Sequence, residues 1–113
     1  MSDVGAKTKN PLYTIEGREL VAEAPGLRVQ VLTLAAGECV PWHWHSEITD
    51  HFVCIEGAIE IETRAPRGRH RLEPGNRFQV PPKLAHIVRN VTAGRSRFMV
   101  VQGVGTYDFN PIG

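Results

Sequence analysis

From Pro11 onward, the chain consists of short runs in which apolar and polar residues alternate, and turn residues separate these runs. The clearest run is Leu27–Leu34, in which Leu27, Val29 and Val31 alternate with polar residues. Alternation of this kind places apolar side chains on one face of a β-strand. No stretch combines a sustained 3.6-residue period with helix caps. The pattern therefore predicts an all-β domain, a sandwich or a barrel, with many short strands.

The turn signals divide the chain into a series of expected strands. These strands cover residues 12–16, 19–22, 27–34, 39–45, 52–55, 58–63, 70–72, 77–80, 85–91 and 97–103. Residues 1–10 are polar and are expected to form a flexible start. Residues 11–113 are expected to form a single domain with a core of its own, and the 42% share of apolar residues is ordinary for a globular protein.

One expected strand carries candidate chemistry. His43 and His45 lie two residues apart, so their imidazoles point to one side of the strand while Trp42 and Trp44 point to the other. Neutral imidazole is the commonest protein ligand for transition metals. A carboxylate, that of Asp50, follows shortly after the two histidines. The strand therefore supplies half of a metal site before any tertiary structure is considered.

The spacing of this stretch and of a later one resembles the two motifs of the cupin superfamily. The first motif is Gly, five residues, His-x-His, three or four residues, Glu, six residues and Gly. Gly37, His43, His45 and Gly57 match it, and Asp50 stands where the motif has Glu. The second motif is Gly, five residues, Pro-x-Gly, two residues, His, three residues and Asn. Gly75, Pro81, His86 and Asn90 match it, and Lys83 stands where the motif has its middle Gly. The resemblance spans residues 37–90 and implies a small single-domain cupin: a jelly-roll (double-stranded β-helix) barrel with a site in its mouth.

The resemblance also implies the ligands of a mononuclear metal site, namely His43, His45, Asp50 and His86. Because Asp50 is one methylene shorter than Glu, it either binds the ion directly or orients a water on it. His51 is its competitor, since neighbouring residues of a regular strand face opposite ways. The spacing to Gly57 favours Asp50, and Phe52 and Cys54 would then share its inner face.

A set of imidazoles and one carboxylate suits Fe, Mn, Ni, Co or Zn, and the sequence does not choose among these divalent metals. Open coordination positions would permit catalysis on a small organic molecule. By resemblance the enzyme would be a dioxygenase, an isomerase or a lyase, with the dioxygenase type favoured. The alternative is a non-catalytic cupin that binds or senses a small molecule. Asp50 is a candidate base, and Tyr107 is a candidate acid or lid.

Four further features of the sequence predict details of the structure. The C-terminal run around Tyr107 and Phe109 either lies over the barrel opening or packs on its outside. Lys83 replaces a Gly that would allow positive φ, so a differently built turn is expected there. Asn90 is expected to support the end of its strand rather than to touch a substrate. The connection 64–71, with four arginines and His70, is expected to be a solvated hairpin end and not an anion site.

Charge and cysteine content narrow the class of protein. With 13 basic and 12 acidic residues, the formal net charge of +1 indicates neither a nucleic-acid nor a membrane partner. No apolar run has the length of a membrane span, and the polar start lacks the apolar core of a signal peptide, so a cytoplasmic protein is expected. Cys39 and Cys54 are expected to be reduced apolar fillers. Trp42 and Trp44 would leave a large apolar patch on a monomer, which predicts a homodimer.

Overall fold

The computed structural model of the protein describes residues 8–10 and 13–112. Its strands are β1 (Thr8–Asn10), β2 (Tyr13–Ile15), β3 (Gly17–Ala24), β4 (Leu27–Leu34), β5 (Cys39–Trp44), β6 (Thr49–Glu56), β7 (Ile59–Thr63), β8 (Gly68–Leu72), β9 (Arg77–Val80), β10 (His86–Asn90), β11 (Ser96–Gly103) and β12 (Asn110–Pro111). Within this part of the chain, no helix is long and apolar enough to cross a membrane.

Two five-stranded antiparallel sheets form the body of the fold. One has the order β12-β5-β10-β7-β8 and the other the order β3-β4-β11-β6-β9, while β1 and β2 form a hairpin. Most neighbours within each sheet are distant in the chain, as in the pairing of β4 with β11. The all-β jelly roll that the motifs imply is therefore confirmed.

The core lies between the two sheets because inward and outward side chains alternate along the strands. In β6, Phe52 and Cys54 point inward and are buried, whereas His51 and Ile55 are exposed. Burial of each large apolar side chain stabilises the fold by about 1.5–3 kcal/mol. The buried cluster comprises Ile15, Leu32, Leu34, Val40, Phe52, Cys54, Ile59, Ile61, Leu72, Val80, Val88, Phe98 and Val100.

Two turns illustrate how the motif residues shape the backbone. Gly57, between β6 and β7, has φ +74°, and a Cβ atom there would lie 2.3 Å from Ser96 Oγ, so only glycine fits. Lys83, before β10, has φ +70°, so the expectation of a differently built turn is wrong. The N–H of Lys83 donates to the carbonyl of His45 at 2.7 Å. This hydrogen bond offsets a backbone strain on the order of 1 kcal/mol.

The structure differs from the sequence-based expectations mainly at the ends of the chain. Strands β1 and β12 were not expected; each is held by an antiparallel neighbour, β2 and β5 respectively. His70 is half-buried and its ring stacks on Phe78 with 3.9 Å between centroids, so the expectation of a solvated histidine is wrong. The arginine-rich connection is a hairpin turn between β7 and β8, and its residues 64–67 are exposed, as expected. A flexible start was expected for residues 1–10; this is wrong for residues 8–10, which form β1, and residues 1–7 lie outside the described residues.

Candidate metal centre

Four side chains from both sheets converge at one end of the space between them. His43 lies on β5 and pairs across the sheet with His86 on β10, while His45 directly follows β5. Asp50 approaches from β6 in the opposite sheet. All four residues are buried, and one potential ligand atom of each lies within 4.8 Å of those of the others. The residues brought together are the ones that the two motifs name.

Backbone carbonyls fix the tautomer of each histidine. The Nδ1 atoms of His43, His45 and His86 lie 2.7, 2.5 and 2.9 Å from the carbonyl oxygens of Pro41, Asp108 and Leu84. A carbonyl oxygen only accepts hydrogen bonds, so Nδ1 carries the hydrogen in every ring. In a neutral ring, Nε2 then has a free lone pair, which is the arrangement of a metal-binding histidine.

Asp50 supplies the negative charge of the cluster. Its Oδ2 lies 2.9 Å from His86 Nε2 and 3.1 Å from His45 Nε2, and its Oδ1 accepts a hydrogen bond from Gln102 Nε2 at 3.0 Å. Lone pairs on two imidazoles and on a carboxylate repel one another at this spacing unless a proton or a metal ion lies between them. Ligands about 2.0–2.2 Å from one ion are roughly 3–4.4 Å apart, and the ligand atoms of the cluster, which lie within 4.8 Å of one another, are close to this spacing. The four residues therefore fit a divalent transition metal.

The protonation states agree with this fit. Burial acts to raise the pKa of Asp50, but its hydrogen bonds with His45 and His86 outweigh burial and hold that pKa well below its usual range. Burial, followed by the charge of His86, lowers the pKa of His43 to about 3. For His45, burial acts to lower the pKa, but the hydrogen bond and charge of Asp50 raise it overall. At neutral pH, Asp50 is a carboxylate and His43 is a neutral ligand.

His51 takes no part in the cluster. It is exposed, and on β6 it pairs with Gln79 on one side and Val101 on the other. Strand β6 has no bulge at this point in its pairing with β9, so Asp50 and His51 face opposite ways. The structure therefore places Asp50, and not its neighbour, beside the histidines.

The C-terminal segment covers this end of the fold. The ring of Phe109 stacks on His43 with 4.4 Å between centroids, and the ring of Tyr107 lies 5.4 Å from that of His45. The side chain of Asp108 accepts hydrogen bonds from the backbone N–H and the hydroxyl of Ser46. Of the two expectations for this segment, the one in which it lies over the opening is correct.

His43, His45 and Asp50 border a small cavity between the two sheets. Its walls include Phe52, Phe98 and Phe109, together with polar groups that extend away from Asp50. Tyr107 also lines it, and burial raises the pKa of this phenol to about 12. The phenol is therefore protonated at neutral pH and can donate a hydrogen bond into the cavity.

A buried polar chain on the cavity wall was not foreseen from the sequence. Gln102, which donates to Asp50, accepts a hydrogen bond from Gln30 Nε2 at 2.9 Å, and Gln30 Oε1 accepts one from Arg18 Nη1 at 3.3 Å. Gln30 is only 2% exposed, whereas Leu27 on the other face of β4 is 38% exposed. The sequence shows the alternation along β4, but at the N-terminal end of this strand the polar residues, and not the apolar ones, face the interior. Asn90, as expected, supports its strand end by donating to the carbonyls of Leu34 and Gly94.

The sequence matches the cupin domain family over residues 30–106. No curated protein matched the chain. Among solved structures, KdgF from Halomonas sp. is similar with a TM-score of 0.71 and 22% identity over 80% of this chain and 79% of its own.

Two further structures show the same architecture. A cupin family protein with a double-stranded β-helix fold from Methanocaldococcus jannaschii has a TM-score of 0.70 and 20% identity over 90% of this chain and 84% of its own. An oxalate oxidase has a TM-score of 0.70 and 17% identity over 77% of this chain, which spans about half (46%) of that oxidase. The family match covers most of the sequence, including both histidine motifs, and the fold agrees with it, so the chain belongs to the cupin family.

Proposed function

We propose that the protein is a metal-dependent cupin enzyme, of the dioxygenase type, which acts on a small organic molecule. One observation supports this proposal above all: the Nε2 atoms of His45 and His86 meet a buried carboxylate at the end of a small cavity, with the Nδ1 atom of each ring held by a carbonyl. A divalent transition metal held there would supply Lewis-acid or redox chemistry at its open positions. At 17% identity, the likeness to oxalate oxidase supports the fold and not the substrate.

The residues around the cluster have separable roles in this proposal. Both carboxylate oxygens of Asp50 are engaged and its pKa is low, so Asp50 acts as a ligand and not as a general base. Phe52 and Phe109 give the cavity apolar walls, which strengthen electrostatic interactions inside it. Tyr107 keeps its proton at neutral pH and can donate it, or a hydrogen bond, to a bound molecule. Its role is that of an acid.

We also propose a homodimer. Trp42 and Trp44 lie on the face of β5 opposite the histidines, and both are half-buried in the single chain. Arg64 lies over the ring of Trp42, with 4.1 Å from its Cζ to the ring centroid. Each indole can bury about 150–250 Å², so covering both would add substantially to an interface. Light scattering at micromolar concentration should give twice the mass of one chain, and a monomer would refute the proposal.

Metal analysis followed by oxygen uptake with a panel of small organic substrates tests the proposed activity. The purified protein should contain close to one transition-metal ion per chain, and at least one substrate should be converted with consumption of oxygen. Conversion without oxygen uptake would instead indicate an isomerase or a lyase. Tight binding without conversion would favour the alternative, a non-catalytic binding or sensing cupin.

Two variants assign the residues once a substrate is found. Because Tyr107→Phe removes only the hydroxyl, it should lower turnover by about 100-fold if the phenol donates a proton, with no loss of metal. His51→Ala is the control, because it removes an imidazole next to Asp50 on β6 that lies on the outside of the fold. It should leave both turnover and metal content unchanged. Unchanged turnover of Tyr107→Phe would remove Tyr107 from the proposed chemistry.

A further inference from the structure

The cavity has a second charged end, away from the histidines. Arg18 on β3 lines the cavity and is half-buried. Its Nη1 donates to Gln30 Oε1 at 3.3 Å and its Nη2 donates to the hydroxyl of Tyr13 at 2.8 Å. Both acceptors are neutral, and a guanidinium has five N–H donors, so these contacts leave its charge uncompensated and leave donors to spare.

Acidic side chains do not neutralise this charge within residues 13–112. Arginines that form salt bridges in this part of the chain lie elsewhere on the surface, namely Arg69, Arg71, Arg89, Arg95 and Arg97. A second arginine, Arg28, lies close by: its Cζ is 4.6 Å from the ring centroid of Tyr107. Its Nε is buried without a hydrogen-bond partner among the described residues. Within residues 13–112, Arg28 is thus a second guanidinium without a carboxylate partner, but it lies against Tyr107 and does not line the cavity.

The charges on the cavity wall do not balance once a divalent cation is bound. Among the described residues that line it, Asp50 carries one negative charge and Arg18 one positive charge. With a divalent cation at the histidines, the cavity would have a net charge of about +2, and burial of uncompensated charge is unfavourable. An anionic ligand would reduce this charge and would supply the guanidinium with acceptors.

We infer that the substrate is a small organic carboxylate, whose carboxylate group pairs with Arg18 while the rest of the molecule reaches toward the histidine cluster. This inference rests on the proposed function. A guanidinium matches the planar carboxylate in a two-hydrogen-bond pair. A single arginine on the wall suits one negative charge better than the −1.5 to −2 of a phosphate. The cavity is small, so the group that it admits belongs to a small molecule and not to a polymer.

Matched pairs of carboxylates and amides test the inference on the Zn²⁺-loaded protein. Calorimetric titration would compare acetate, lactate, benzoate and phenylacetate with their amides at constant ionic strength. At least one carboxylate should bind about tenfold more tightly than its amide, because a charge-assisted hydrogen-bonded pair typically strengthens binding by about that factor. Equal affinity within every pair, or no binding by any carboxylate, would overturn the inference.

Variants separate the contribution of Arg18 from that of the metal ion. Arg18→Gln keeps hydrogen-bond donors but removes the charge, so the carboxylate preference should fall about tenfold, and Arg18→Lys should restore part of it. Arg71→Gln is the matched control, because Arg71 is exposed and pairs with Glu73 on the hairpin. A preference that survives Arg18→Gln undiminished would contradict the assignment.

A measurement on the unaltered protein covers the case in which Arg18→Gln does not fold. The side-chain Nε–H resonance of Arg18 should shift on addition of the tightest carboxylate and should not shift with its amide. An unperturbed resonance at saturating carboxylate would overturn the inference. The proposed function fails separately: a protein that binds no metal would contradict that function, whereas a metal-loaded protein without carboxylate preference contradicts only the anion site.

Discussion

The two ends of the cavity differ in how completely their polar groups are paired. At the histidine end, the Nδ1 atoms of His43, His45 and His86 meet carbonyls, and Asp50 holds contacts on both oxygens. At the arginine end, the guanidinium of Arg18 donates to neutral acceptors alone among the described residues. The first end is organised to hold a cation tightly, whereas the second has donors left for a ligand. Variants at the histidine end should therefore affect metal content, and variants at the arginine end should affect ligand choice.

Loss of an imidazole should have the largest effect. His45→Ala or His86→Ala removes a ligand and leaves Asp50 with one histidine fewer. Loss of a residue that only orients a ligand typically lowers metal affinity by about 10–100-fold, so loss of a ligand itself should lower it by more than about 100-fold. Metal content after gel filtration measures the effect. His51→Ala is the control and should retain the metal. Loss of metal from His51→Ala, with retention in Asp50→Ala, would show that strand β6 is bulged.

A motif residue that is not a ligand should affect stability instead. Asn90→Ala removes the donor to the carbonyls of Leu34 and Gly94 and the acceptor of the Thr92 N–H, so we expect a loss of about 2–4 kcal/mol in the free energy of unfolding. Urea denaturation measures it. Asn76→Ala removes a comparable turn hydrogen bond at an exposed site, and should cost less than about 1 kcal/mol. Equal losses in the two variants would contradict the structural role of Asn90.

The smallest of these effects should come from the residue that links the two ends. Gln102→Leu removes the donor to Asp50 Oδ1 and leaves Gln30 Nε2 without its acceptor. Metal affinity should fall by about 10–100-fold, as for other residues that orient a ligand. Gln79→Leu, at an exposed position of β9, should leave affinity unchanged. An unchanged affinity in Gln102→Leu would show that the orientation of Asp50 does not depend on this amide.

Part of the histidine end could be predicted from local geometry, because the two-residue period of a strand brings His43 and His45 to one side. The all-β class followed from the same local alternation. Asp50 and His86 lie on other strands, and they were predicted only because the two motifs resemble those of cupins, as was the jelly roll.

The arginine end could not be predicted, because it depends on contacts between distant strands. Arg18 and Gln30 are joined only when β3 pairs with β4, and Gln102 joins them only when β11 pairs with β4. The alternation along β4 suggested that its apolar residues face the core, yet Gln30 is buried there and Leu27 is exposed. A buried amide is stable at that position because its partners come from elsewhere in the chain.

Lys83 shows that the conformation of a single turn can also depend on a contact with a distant part of the chain. Intrinsic preference predicted that a lysine would avoid positive φ, but the residue adopts φ +70° and its N–H bonds to the carbonyl of His45. A tertiary hydrogen bond outweighs a local preference of about the same size. The turn that precedes His86 is thereby fixed to the loop that carries His45.

The identity of the ligands is the central claim, and X-ray absorption spectroscopy of the Zn²⁺-loaded protein tests it most directly. We expect a first shell of nitrogen and oxygen alone, with the outer-shell scattering of three imidazoles, from His43, His45 and His86. Sulfur in the first shell, which only Cys39 or Cys54 could supply as thiolate, would contradict the assignment. A spectrum with fewer than two imidazoles, or one unchanged in the variant that lacks all three histidines, would contradict it equally.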